Sequence, residues 1–305
     1  MNNFVRVAAL LSVGLASVSI ATPRITAQSR PNADRRLNHI GISVTNVEEA
    51  TRFYTKAFGF HEAYTLRDKD GNPTMASIQM SRDTFLELTP ATADRQPGIS
   101  HFGMEVDDIQ ATVMRLRGAG AQVPDTRVPA NTNATITSLT DPDGLRAELL
   151  QLTPGSLQRK AVDTWQQSLS TGLRLNSVGM SVKNFDDAFS FYTKTLGFRE
   201  AFTLRDKDGK PTLAFLQISP ATFLELLPAT PNRPAGFTGV LLETSNIQAT
   251  VMRLRQAGVE VRDPRLSPVT NTMLTSLTGP AGTRVELLEL TPGSLIGKAV
   301  ESWGQ

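Results

Sequence analysis

There is no cysteine in this chain of 305 residues. Disulfide bonds and lipid attachment through a cysteine are therefore excluded, and a Cys-free chain is compatible with an oxidising compartment. Aromatic residues are sparse at 6%, and the formal charge is only +2. With no basic run and no basic-aromatic stripe, the sequence predicts no nucleic-acid partner. Histidine is scarcer still, with 3 in all, at positions 39, 61 and 101. The apolar run near the start, Val7 to Ile20 after Arg6, is too short to span a bilayer comfortably. It leads to a small-x-small exit at Ser19-Ile20-Ala21, and Ile25-Thr26-Ala27 offers a second, weaker cleavage site. Residues 1–27 therefore read as a cleaved secretory signal, which predicts a secreted or periplasmic protein with no membrane association after cleavage. The polar stretch 28–36 reads as a tether. The whole chain is 40% hydrophobic and 20% charged, and its length is enough for two ordinary domains.

Those two domains are copies. Leu37-Asn38 recurs as Leu175-Asn176, a shift of 138 that holds without a gap to the C-terminus. Phe53-Tyr54-Thr55-Lys56 returns as Phe191-Tyr192-Thr193-Lys194, and Ala111 to Arg117 returns as Ala249 to Arg255. A period this long marks a duplicated domain rather than a solenoid. Each copy reads as strand, helix and three strands, then the same again. Asn46 with Glu49 is a capping box opening a helix that runs through Phe58 to Gly59. Asp108 opens another, ended by Gly118 and Gly120. A Pro-containing strand is expected near Val123. Gly155 to about Ser168 reads as a short amphipathic helix, repeated from Gly293 to Trp303, with Trp165 and Trp303 as docking residues.

Within the first copy, a His on one strand is followed by a Glu about fifty residues later, twice. His39 and Glu87 are 48 residues apart, and His101 and Glu148 are 47 apart. Each sits in an alternating run, so His39, Gly41 and Ser43 share one face while Ile40, Ile42 and Val44 share the other. Burying the apolar face turns both imidazoles and both carboxylates to the opposite, concave side. Singly, each is an ordinary polar residue on a half-solvated strand. Together they predict a divalent metal site.

This pattern resembles the vicinal oxygen chelate superfamily, which includes glyoxalase I, extradiol dioxygenases, methylmalonyl-CoA epimerase and bleomycin-resistance proteins. The turn Asp141-Pro142-Asp143-Gly144, leading into the strand with Glu148, looks like the last hairpin of a glyoxalase module. His39, Glu87, His101 and Glu148 match, position by position, the His-Glu-His-Glu metal set of bacterial glyoxalase I. The resemblance implies an α+β fold of tandem paired βαβββ modules. It divides the chain into domain 1 (37–154, metal-competent), a connecting helix (155–174), domain 2 (175–292) and a C-terminal helix (293–305). It also implies one divalent transition metal (Zn, Ni, Co, Mn or Fe) and a small-molecule substrate offering two neighbouring oxygens. The expected activity is that of a lyase or isomerase, with Glu148 as the proton shuttle and Glu87 as the other candidate. Ser43 and Ala91 stand where bacterial glyoxalase I has glutathione-binding Arg and Asn, so a glutathione adduct is not expected. The alternatives are a binding protein that sequesters its ligand and an extradiol-type dioxygenase.

The second copy carries Ser177, Glu225, Gly239 and Glu286 at the four positions. With both imidazoles gone, it is expected to hold no transition metal and to act as a packed partner. Modules are expected to pair within each copy, since exchange between copies would leave no complete set.

Overall fold

The computed structural model describes residues 34–304. The expected signal segment, 1–27, lies outside them. The first copy begins with β1 (Arg35–Val44), α1 (Val47–Lys56), β2 (His61–Arg67), β3 (Pro73–Ser81) and β4 (Thr84–Pro90). It continues with β5 (Gly98–Val106), α2 (Ile109–Gly118), β6 (Thr135–Thr140) and β7 (Arg146–Gln151). Its seven strands form one sheet in the order β2-β3-β4-β1-β5-β7-β6. The two modules meet where β1 runs antiparallel to β5, and β1 is parallel to β4 on its other side. The fold is therefore α+β, with modules paired inside the copy.

Local chemistry explains the elements. Asn46 caps α1 by accepting from the Glu49 amide at 3.0 Å, and Asp108 caps α2 through Ala111 at 2.9 Å. Gly59 ends the first helical segment with φ 75°, a conformation open to glycine. The connecting segment forms α3 (Leu157–Asp163), capped by Ser156, then a 3-10 turn at Gln167–Leu169. It is thus shorter than the helix expected from 155 to 168. Trp165 at its end is half-buried.

Two expectations need correction. The segment around Val123 is not a strand; its only pairing is one isolated bridge, Arg127 to Ile136. Pro124 has no amide hydrogen to donate to a ladder, and Pro129 repeats the interruption. The tether also ends earlier than expected, because Arg35 and Arg36 already belong to β1 and pair with Val106 and Glu105 of β5. Arg36 Nε donates to Glu105 at 3.0 Å. Arg35 is buried, and desolvation lowers its guanidinium to about 10. It donates to the carbonyls of Leu196 and Gly197 in the second copy.

The second copy comprises β8 (Leu173–Val182), α4 (Phe185–Ser190), β9 (Arg199–Arg205), β10 (Pro211–Ser219), β11 (Thr222–Pro228) and β12 (Gly236–Thr244). It ends with α5 (Ile247–Gln256), β13 (Arg265–Leu266), β14 (Thr272–Thr278), β15 (Arg284–Leu290) and α6 (Leu295–Glu301). Its sheet has eight strands because Arg265–Leu266 pairs with β14 where the first copy keeps a single bridge. Trp303 beyond α6 is half-buried, with the Arg199 guanidinium 5.4 Å above its ring. One core cluster runs through both copies and joins Ile40, Ile42 and Val44 to Val178, Met180 and Val182. Burying those faces leaves His39, His101 and both carboxylates on the other side of the sheet.

Candidate metal centre

The four residues lie on four adjacent strands, β4, β1, β5 and β7. The register aligns them in two rows. Gly41 of β1 is flanked by Glu87 on one side and His101 on the other. Gly103 of β5 is flanked by His39 and by Glu148. Strands stand about 4.8 Å apart, so a glycine between two long side chains leaves the space into which they lean. A methyl group at Gly41 would lie 2.0 Å from Cε1 of His101, and one at Gly103 would lie 2.0 Å from Cε1 of His39.

The result is a compact donor set, with one ligand-type atom from each residue within 4.8 Å of the others. Nε2 of His39 is 3.1 Å from Nε2 of His101, 3.6 Å from Glu87 Oε2 and 3.7 Å from Glu148 Oε1. Donors bound at about 2.0–2.2 Å to one cation stand roughly 3 Å or more apart, which is the spacing found here. His39 is fully buried and His101 nearly so. Burial is the main cause that lowers the His39 imidazole to about 4, and it also holds His101 well below its usual range. Both rings are therefore neutral. Asn38 donates to Glu105 at 3.5 Å, so its Oδ1 accepts from His39 Nδ1 at 2.9 Å. That tautomer leaves the Nε2 lone pair free. His101 Nδ1 is 3.0 Å from the Ser100 hydroxyl, which can hold it in the same way. With both Nδ1 atoms protonated, two Nε2 lone pairs face each other at 3.1 Å and repel unless a cation lies between them, an arrangement that fits a divalent metal.

The carboxylates are prepared differently. Burial raises Glu87 to about 7 and raises Glu148 as well. Glu148 Oε2 accepts from Arg146 at 2.5 Å, and Arg146 is partly exposed. Glu87 Oε1 instead accepts from the Gln158 amide of α3 at 3.0 Å. Sequence patterning misses Gln158, and also the Asn38 contact to His39. A signal for Gln158 does exist, because its counterpart in the second copy is Ile296. His61 lies outside the cluster, as its spacing suggests. A cavity of about 1270 Å³ lies between the copies, lined by residues such as Arg52, Lys56, Arg262 and Arg284. None of the four cluster residues lines it.

In the second copy the correlated losses are visible in space. Ser177 replaces His39, and the Gly103 position is Leu241, a buried residue paired in register with Ser177. Glu286 is paired with Arg284. Glu225 is buried and raised to about 7, first by desolvation and then by the charge of Glu286. Among the described residues, the second copy brings together no group of metal-ligand type like that of the first.

Comparison with known proteins gives the family and the fold. The family model of the Glyoxalase/Bleomycin resistance protein/Dioxygenase superfamily matches residues 36–149 and again 174–287, and the chain belongs to that superfamily. A protein named "Probable lactoylglutathione lyase, chloroplastic" from Arabidopsis thaliana is 24% identical over 270 residues, covering 82% of this chain and 72% of its own length. A "Probable lactoylglutathione lyase" from Vibrio parahaemolyticus is 29% identical over 124 residues, covering 38% of this chain and 90% of its own. Among solved structures, the Mn(II)-bound glyoxalase from Novosphingobium aromaticivorans superposes with a TM-score of 0.64 at 17% identity, covering 86% of this chain and 83% of that one. Homoprotocatechuate 2,3-dioxygenase from Arthrobacter globiformis gives 0.64 at 18%, covering 87% and 84%. At these identities the structures share the fold.

Proposed function

We propose that the chain is a divalent-metal-dependent enzyme of the glyoxalase type, a lyase or isomerase acting on a small substrate with two neighbouring oxygens. His39, Glu87, His101 and Glu148 are the proposed ligands. The observation that carries this reading is the convergence of two neutral imidazoles and two carboxylates within 4.8 Å of one another. A cation held there would act as a Lewis acid that polarises a carbonyl oxygen and stabilises the negative charge developing on it.

The chain's own residues account for the rest. Glu87 is tied to Gln158 and stays in place. Glu148 is tied instead to a partly exposed arginine, and burial raises its pKa, which strengthens it as a base that takes and returns a proton. In an isomerisation of an α-hydroxycarbonyl group it removes the carbon-bound proton α to the carbonyl and returns it to the former carbonyl carbon, while the hydroxyl proton passes to the former carbonyl oxygen, and the carboxylate is regenerated. Arg146 steadies the charged form between the two transfers. Ser43 is fully buried and its hydroxyl has no hydrogen-bond partner among the described residues. It offers no cationic anchor for a glutathione carboxylate, which supports a substrate without glutathione. Because relatives carry the name lactoylglutathione lyase, the assay should include the glutathione hemithioacetal of a 2-oxoaldehyde beside the free 2-oxoaldehyde and a catechol. The expected result is turnover of the free substrate that Glu148→Gln removes and Glu286→Gln leaves nearly intact. Equal losses in two folded variants would contradict the assignment to the first copy. Oxygen-dependent ring cleavage would indicate a dioxygenase instead.

A further inference from the structure

The connecting helix lies outside both segments matched by the family, yet it reaches into the centre. We propose that Gln158 of α3 is a positioning residue that fixes which oxygen of Glu87 faces the two imidazoles. The proposal rests on the metal reading above and adds a residue to it. Gln158 Nε2 donates to Glu87 Oε1 at 3.0 Å. That leaves Oε2 as the oxygen turned inward, 3.6 Å from His39 Nε2 and 4.0 Å from His101 Nε2. A carboxylate free to rotate would present either oxygen or neither. One locked by an amide presents a single oxygen in a single direction.

Docking of the helix does not explain Gln158. In the first copy α3 is held to β3 by Gln79, whose amide donates to the Ala161 carbonyl at 3.4 Å. In the second copy Gln217 makes the same bond to Ala299 at 3.3 Å. That helix docks with Ile296 at the equivalent position. Gln158 is 5% exposed and its Oε1 has no hydrogen-bond partner among the described residues, so its burial costs stability that an apolar side chain would not.

A second observation points the same way. Beside Gln158 stand Tyr64 and Ser77, which face each other across β2 and β3, while Ser77 in turn faces Glu87 across β3 and β4. The three counterparts in the second copy are Phe202, Phe215 and Ile296. There the two phenylalanine rings stack at 5.0 Å and pack with Phe223 and Ile296 as a separate apolar cluster. Three positions, dispersed in sequence but adjacent in space, are polar in the copy that has imidazoles and apolar in the copy that lacks them. The Glu is present in both, so the polar trio follows the centre rather than the carboxylate alone.

The test uses the full chain with Co(II), whose visible absorption reports ligand number and geometry. Gln158→Ile imports the residue of the second copy, and Gln158→Met keeps the length without the amide. Both should bind Co(II) about tenfold or more weakly in competition with a chromophoric chelator, the usual consequence of removing an outer-shell partner. The Co(II) spectrum should change, and Gln158→Asn should recover part of the affinity. Metal-free melting temperatures should stay close to that of the unaltered chain. Should the isoleucine variant fail to fold, the methionine variant decides. Unchanged affinity and spectrum in Gln158→Met, even with a lowered melting temperature, would overturn the positioning role alone. Failure of the unaltered chain to bind Co(II) would overturn the metal reading and this inference with it.

Discussion

Gly103 lies directly beneath the imidazole of His39, so close that a methyl group there would sit 2.0 Å from the ring. Gly41 and His101 repeat the relationship across the same strand pair. Each glycine is therefore required by close approach rather than by an unusual backbone angle. Gly103→Ala should push His39 out of line and weaken metal binding about tenfold or more. Leu241→Ala, at the equivalent position of the second copy, should leave metal content unchanged while costing about 2–5 kcal/mol of stability. Metal analysis and urea unfolding of the two variants check this. A Gly103→Ala protein with full metal content would show that the ring has another place to go.

The contact between the copies is asymmetric at one buried phenol. Tyr192 donates to Asp141 Oδ2 at 3.0 Å across the interface. The reciprocal partner of Tyr54 is Gly279, and the buried Tyr54 hydroxyl has no hydrogen-bond partner among the described residues. Tyr192→Phe should therefore destabilise by about 1–3 kcal/mol, since it strands a buried carboxyl oxygen. Tyr54→Phe should be neutral or slightly stabilising. Equal effects in thermal unfolding would contradict the asymmetry.

Glu225 gives a pH dependence with a definite sign. Its folded carboxyl is raised from 4.5 to about 7 by burial and then by Glu286. Between those values the folded chain keeps a proton that the unfolded chain has released. This contribution is fully present below pH 4.5 and is lost as pH rises through 7. Glu225→Gln should thus be more stable than the unaltered protein at pH 8, by on the order of 1–3 kcal/mol. The difference should shrink toward about pH 5, and urea midpoints at the two values measure it. A variant less stable in alkali would mean that the charged carboxylate is better compensated by Arg284 and Arg233 than burial suggests.

Glu87 shifts in the same direction, again to about 7. A metal that binds its charged form must displace the proton, so uptake should release protons below pH 7 and affinity should rise with pH. Calorimetric titration in buffers of different ionisation enthalpy counts those protons. No release at about pH 6 would contradict the buried, protonated state.

Much of this centre is legible in the amino-acid sequence. Alternation in the runs around His39, Glu87, His101 and Glu148 depends only on the period of a strand, so it fixes their shared face. The shift of 138 exposes the duplication and the loss of both imidazoles. Contacts between residues distant in sequence are not legible in the same way. Gln158 meets Glu87 across 71 positions and from a segment with the composition of a connector. The glycine cradles depend on the β1–β5 register, which periodicity alone leaves free by two residues. Near Val123 the local apolar content suggests a strand, but the missing donor of Pro124 outweighs it.

The proposed function stands on one divalent metal in the first copy, held by residues of that copy alone. Elemental analysis of the purified full chain, beside His101→Ala, tests this most directly. Close to one transition-metal ion per chain is expected, falling to near zero in the folded variant. A value near zero or near two in the unaltered protein, or an unchanged value in His101→Ala, would contradict it.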